Sequence, residues 1–276
     1  EEATKVFEEA KALLGQVVKE KWIQAKGVIG FWPANAVVDE DTIQVYANEA
    51  GPQVQGEDVM EQGGKKGDHL LSSVTPLPLY HLRQQSKRAK GLPNLALTDF
   101  IAPATAPHQD YIGGFAVTAG VGIEPHIQRF EAAGDDYNAI MLKALADRLA
   151  EDFAERMHQR VRMEFWGYAP EESVSNDQLI AEQYQGIRPA PGYPACPEHT
   201  EKEKLWQLLD VEATTGMKLT ESMAMYPASS VSGWYFSHPE AKYFTVRGLK
   251  DDQAADYAAR KGWDETTAER WLAPIR

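Results

Sequence analysis

Gly27-Val28-Ile29-Gly30-Phe31-Trp32-Pro33-Ala34-Asn35 is followed, after the acidic turn Asp39-Glu40-Asp41, by Thr42-Ile43-Gln44-Val45-Tyr46. The first run is short and apolar and closes at Pro33-Ala34-Asn35. The second alternates apolar and polar residues, which suits a half-buried strand. Strands adjacent in sequence tend to pair antiparallel, so the two read as a hairpin with a long tip.

The pattern outside this hairpin is mixed. Upstream, Val6, Phe7, Ala10, Leu13, Leu14 and Val17 recur at three- and four-residue steps, predicting an amphipathic helix over 2–25 with Gly27 as its stop. Downstream, residues 47–68 are polar and Gly-rich and read as an exposed loop. Asp110–Thr118 reads as a strand carrying the pair Gly113-Gly114, a mark of a bulge or a close backbone approach. Met141, Leu145, Leu149, Phe153 and Met157 repeat at four-residue steps and predict a long helix over 135–163, ended by Gly167 and Pro170. Ser175 is a candidate N-cap for a helix to Tyr184. Thr200–Glu203 fits a capping box, and Gly216 fits a C-terminal stop. Strands are expected at 219–226, 231–236 and 242–247, and helices at 251–261 and 264–272. Helices and antiparallel strands in this order predict an α+β fold, not a βαβ series.

Composition bounds the function. The chain has 276 residues, with 28 Lys+Arg against 41 Asp+Glu and a net charge of −13. That charge argues against nucleic acid and against an anionic membrane surface as partners, since both require a clustered positive field. With one cysteine no internal disulfide forms. No apolar run reaches the roughly 20 residues of a membrane span. The start, Glu1-Glu2-Ala3-Thr4, has neither initiator Met nor signal peptide, so the chain reads as a piece of a longer, cytoplasmic protein.

Few chemical motifs survive testing. There is no Walker loop and no strand-linked G-x-G-x-x-G; Gly63-Gly64-Lys65-Lys66-Gly67 follows no apolar strand and reads as a loop. The seven histidines are scattered, and Cys196 and His199 have no second pair to complete a metal site. A Cys196/His199 dyad is conceivable, but a small packing cysteine is the plainer reading. Lys143, Asp147, Glu151 and Glu155 follow one i, i+4 row of the long helix. That row is either a solvated face or a surface attracting a cation. The segment Gly186–Pro197 holds four prolines in nine residues, which forbids a helix. It is either a structural crossover or a rigid ligand loop, with Arg188 offering a fork for a carboxylate and Tyr193 a face for a ring.

At this segment the sequence resembles a known family. Arg188-Pro-Ala-Pro-Gly-Tyr-Pro-Ala-Cys-Pro-Glu-His-Thr200 resembles the signature of the C-terminal activation domain of cobalamin-dependent methionine synthase. Gly216–Ser222, Ser230–Pro239, Gly30–Asn35, His81–Gln85, Asp110–Gly113 and Lys143–Ala150 extend the resemblance over essentially the whole chain. It implies a single C-shaped α+β domain built on a bent antiparallel sheet flanked by helices. It implies binding of S-adenosylmethionine, whose methyl remethylates cob(I)alamin after reduction by flavodoxin or a related reductase. Cobalamin would be held by a cobalamin-binding domain of the same methyltransferase, and zinc only by its homocysteine domain. This domain alone would not turn over and would hold no catalytic residue and no metal.

Carried over by residue, the resemblance implies Arg188 on the methionine carboxylate, with Ala190, Gly192 and Tyr193 on the adenine and ribose. Tyr243, Phe244, Glu151 and Glu182 would stand near the cofactor. The family also uses an Asp from an Ile-Asp-Trp-Thr-Pro-type segment near the start of the domain, which this sequence does not contain. The basic stretch with Arg83, Lys87, Arg88 and Lys90 is the candidate patch for an acidic flavodoxin. A stand-alone module that kept the fold for another nucleoside-like ligand, or as a protein-interaction surface, is the alternative.

Overall fold

In the computed structural model, residues 2–47, 53–54 and 75–276 are described. Helix α1 (Glu2–Glu20) ends five residues earlier than its periodicity predicts. Lys21 turns into the left-handed region at φ 53°, and the chain enters β1 (Gln24–Val37). Val6 and Phe7 stay exposed, while Leu13 and Val17 are buried. β1 runs straight through Pro33-Ala34-Asn35. Pro33 keeps register with Tyr111, and its carbonyl accepts from the Tyr46 amide at 2.9 Å. The predicted hairpin forms, but its tip is a tight 3-10 turn, Val38–Glu40, leading to β2 (Thr42–Val45). The expected loop 47–68 lies mostly outside the described residues, as does the Gly63–Gly67 cluster. Within it, β3 (Gln53–Val54) pairs with Ile29 and Gly30.

β4 (Leu77–Tyr80), β5 (Asp110–Val121) and β8 (Ser230–Tyr235) complete a curled antiparallel sheet in the order β4-β2-β1-β5-β8. Helices α2 (Glu124–Ala132), α3 (Asp136–Arg160), α4 (Asn176–Ile180), α5 (Glu201–Leu209) and α6 (Val211–Thr215) lie between β5 and β8 in sequence. The pair β6 (Lys218–Leu219) and β7 (Met225–Tyr226) replaces the expected strand 219–226, and α7 (Asp251–Lys261) and α8 (Glu265–Leu272) close the chain. No strand forms at 242–247.

Both faces of the sheet are covered. Trp32, Ala34, Ile112, Ala116 and Trp234 pack against Leu205, Leu209 and Val211 of α5 and α6. On the other face Ile29, Phe115, Val117 and Tyr235 pack against Ala154 and Val161. Burial on both sides makes β5 almost continuously buried rather than alternating. Gly113 and Gly114 fit this crowding. A Cβ on Gly114 would lie 2.8 Å from Leu205, and one on Gly113 3.0 Å from Phe31 and Tyr235.

The long helix buries a different stripe from the one its large residues suggest. Leu142, Ala146, Ala150, Ala154 and His158 are buried, whereas Leu145, Leu149, Phe153 and Met157 are only half-buried. Small side chains let α3 lie close on β5 and β8, and the bulky row packs beside that contact. The helix ends in a π-turn, Val161–Phe165, before Gly167 at φ 70°. Two capping expectations split. Ser175 caps α4 in a reciprocal box with Gln178, although the helix stops at Ile180. Thr200 makes no cap, because its hydroxyl donates to the buried Glu198 carboxylate instead.

Candidate functional site: an open cleft beside the proline-rich loop

The proline-rich segment is an added edge to the sheet. Ile187 and Phe236 exchange backbone hydrogen bonds of 3.0 Å each, and the Trp234 amide donates to the Pro189 carbonyl at 2.8 Å. Proline lacks a backbone donor, so it is suited to such an edge position, where only its carbonyl is used. Beyond Pro189 the loop closes on itself through Tyr193 N–H to Ala190, Cys196 N–H to Tyr193 and Gly192 N–H to Cys196. Gly192 adopts φ 92°, and a Cβ there would strike the His199 imidazole, so glycine is required twice over. On its far side the loop is braced by Val246, whose amide donates to the Pro194 carbonyl at 2.8 Å. The 242–247 segment is therefore a buttress to the loop, not a sheet strand.

Between this loop, α3 and the entry to β8 lies a cleft of about 730 Å³. Asp147, Ala150 and Glu151 of α3 form one wall; Arg188, Pro189, Ala190 and Tyr193 form another. Ser229, Ser230, Tyr243, Phe244 and Thr245 complete the lining. Its size is that of a small-molecule site, roughly 300–1,000 Å³. Tyr193 is 64% exposed and offers an open aromatic face at the rim.

Arg188 is held rather than free. Its guanidinium donates to Glu155 Oε2 at 2.6 Å, to the Tyr184 hydroxyl at 2.9 Å and to His158 Nδ1 at 3.3 Å. Its backbone N–H donates to the Tyr243 hydroxyl at 3.0 Å. Burial pushes the Tyr243 phenol up to about 12, against the pull of the Arg188 amide and charge, so it remains a neutral hydroxyl. Asp147 accepts from the Ser229 hydroxyl at 2.7 Å. Glu151 is exposed and touches Arg148.

The structure thus brings together Arg188, Ala190, Tyr193, Glu151, Tyr243 and Phe244 in one cleft. Gly192 shapes the loop behind the lining. Glu182 does not line the cleft; it lies at φ 54° past the end of α4, and only its charge reaches Tyr184 and Tyr243. Sequence reasoning missed Asp147 and Glu155 as site residues. Both stand on the same i, i+4 row as Glu151, and that row was the available signal. Ser229 had no sequence signal of its own. Cys196 is buried with its thiol pushed up by burial, in keeping with a packing role.

The basic stretch divides. Arg83 makes paired hydrogen bonds with Asp41 and Asp99 and donates to the Asn94 carbonyl, so its charge is committed internally. Lys87, Arg88 and Lys90 are exposed. Among the described residues no helix is long and apolar enough to cross a membrane.

The chain is an α+β domain whose curled antiparallel sheet carries an open cleft that pairs one arginine with several carboxylates. The family model described as "Vitamin B12 dependent methionine synthase, activation domain" matches residues 1–262. A solved structure described as "Crystal Structure of the MetH Reactivation Domain bound to AdoHcy" is similar at 51% identity and a TM-score of 0.85, over 99% of this chain and 77% of that one. This chain belongs to the activation-domain family of vitamin B12-dependent methionine synthase, a methyltransferase.

Proposed function

We propose that the cleft binds S-adenosylmethionine and presents its methyl group to cob(I)alamin held by the cobalamin domain of the same enzyme. The observation that carries this reading is the pattern of charge in one cleft, with Arg188 at one end and Asp147 and Glu151 on the α3 wall. S-adenosylmethionine carries a carboxylate beside two cationic centres, the α-amino group and the sulfonium. Arginine matches the first as a planar fork. The acidic wall matches the other two. Tyr193 supplies a stacking face for adenine, and Ala190 and Gly192 supply loop backbone beside it. Tyr243 and Phe244 line the cleft beside Arg188. The ligand in the similar solved domain, AdoHcy, has the same adenosine and amino-acid ends.

The openness of the cleft has a chemical reason. The methyl acceptor belongs to another domain, so the methyl must face outward rather than into a sealed pocket. This domain positions the donor and does not turn over alone. The electron that precedes methyl transfer comes from flavodoxin or a related reductase, docked in the cytoplasm. Lys87, Arg88 and Lys90 are the surface we assign to that contact, because an acidic partner needs a local positive patch on a chain of net charge −13.

Calorimetric titration with S-adenosylmethionine tests the reading. Wild type should bind, and Arg188→Ala should lose about tenfold to a hundredfold in affinity, the cost of one charged hydrogen-bonded pair. Equal affinities would reject the assignment of Arg188. Failure of wild type to bind would reject the ligand.

A further inference from the structure

We propose that Tyr184, His158 and Glu155 are positioning residues that aim Arg188, taking up the inner end of its guanidinium and leaving its Nε edge for the ligand's carboxylate. This rests on the S-adenosylmethionine reading of the cleft and deepens it.

The guanidinium has five N–H donors in a rigid plane. Nη1 uses both of its hydrogens, on the Tyr184 hydroxyl at 2.9 Å and on His158 Nδ1 at 3.3 Å. Nη2 uses one, on Glu155 Oε2 at 2.6 Å. Arg188 Nε has no acceptor among the described residues, and Arg188 lines the cleft. The Nε–H is thus a free donor for one oxygen of a carboxylate.

Two of the three acceptors are themselves fixed by their neighbours. His158 is fully buried, stacked on Tyr235 with ring centroids 5.2 Å apart. Its Nε2 lies 3.4 Å from the Tyr168 hydroxyl, so the proton belongs on Nε2 and the Nδ1 lone pair faces Arg188. Burial and the neighbouring Arg162 and Arg188 charges keep this imidazole neutral, as an acceptor must be. The Tyr184 ring stands edge-on to His158 and lies 4.0 Å under the Arg162 guanidinium. Arg162 is in turn locked by two bonds to Glu172. Glu155 and His158 are three residues apart on α3, hence on one face. Glu155 offsets part of the charge of Arg188, so the arginine selects by the shape of its free edge as well as by its sign.

The test compares two ligands. S-adenosylhomocysteine carries the carboxylate; 5′-methylthioadenosine keeps adenine, ribose and sulfur but lacks the amino-acid end. Tyr184→Phe removes one oxygen and should weaken S-adenosylhomocysteine about tenfold, one charge-assisted hydrogen bond, while 5′-methylthioadenosine stays within about twofold. His158→Gln keeps an acceptor and should stay near wild type, and His158→Leu should behave as Tyr184→Phe, with thermal melts confirming that each variant is folded. If wild type binds S-adenosylhomocysteine and Tyr184→Phe leaves the ratio of the two affinities unchanged, the positioning role is overturned and the ligand reading stands. If wild type binds neither ligand, both fall together.

Discussion

Gly233 lies directly beneath Pro189: a Cβ at position 233 would come within 2.7 Å of the Pro189 carbonyl oxygen and 3.3 Å of the Ala190 Cα. The absent side chain lets the proline-rich loop lie against the last strand of the sheet, where the adjacent Trp234 amide captures the same carbonyl. The position of the cleft wall is thus set by a strand residue that does not line the cleft. Gly233→Ala should push the loop outward, lower stability by about 1–3 kcal/mol as an overpacked contact does, and weaken S-adenosylmethionine binding. Thermal melting and calorimetry on the same sample check both, and an unshifted melting temperature would count against the close contact.

Arg162 and Glu172 form a buried ion pair, with side-chain exposures of 0% and 6%. Arg162→Met should destabilise the protein by about 3–5 kcal/mol, because Glu172 is left buried and unpaired. Arg162→Met with Glu172→Gln should recover most of that loss. Urea unfolding of the single and double variants measures the difference.

His81 is 2% exposed, and neither ring nitrogen has a partner among the described residues. Burial, aided by Lys204, Arg260 and Lys261 and opposed by Glu201, lowers its imidazole to about 4. The unfolded chain therefore binds more protons below about pH 6.5, the ordinary value for histidine. Stability should fall as pH drops from about 6.5 toward 4. His158 is shifted in the same direction. His81→Met should remove about one proton from the slope of unfolding free energy against pH in that window. Urea midpoints at several pH values test this; an unchanged slope would show that His81 is already charged in the folded protein.

Arg83 is spent on Asp41 and Asp99, so the docking patch we propose for flavodoxin comprises Lys87, Arg88 and Lys90. Reversing these three to Glu should weaken flavodoxin binding about tenfold or more at low salt and flatten its dependence on ionic strength. Binding that keeps its strength and its salt slope would place the electron donor elsewhere.

The parts of the fold legible in the sequence were those with a local cause. The 27–46 hairpin, the 110–118 strand, the long helix and the Ser175 cap each depend on residues close in the chain. The differences came from packing and burial. The helix stripe went to alanines because close approach to a sheet selects small side chains, a demand that hydrophobic periodicity does not register. Thr200 was lost as a cap because a buried carboxylate, Glu198, claimed its hydroxyl first.

The sequence by itself determined the family, the α+β class and the chemistry available at the proline-rich loop, since a run such as Arg188–Thr200 constrains its own backbone whatever surrounds it. Only the tertiary structure decided what each charge does. Glu155 meets Arg188 across 33 residues, and Arg83 meets Asp41 across 42. Asp147 faces a cleft completed by Ser229, 82 residues later. The reason is physical: backbone preference acts over a few residues, whereas an ion pair depends on distance in space and on exclusion from water, and both are set only when the sheet curls and α3 is laid across it.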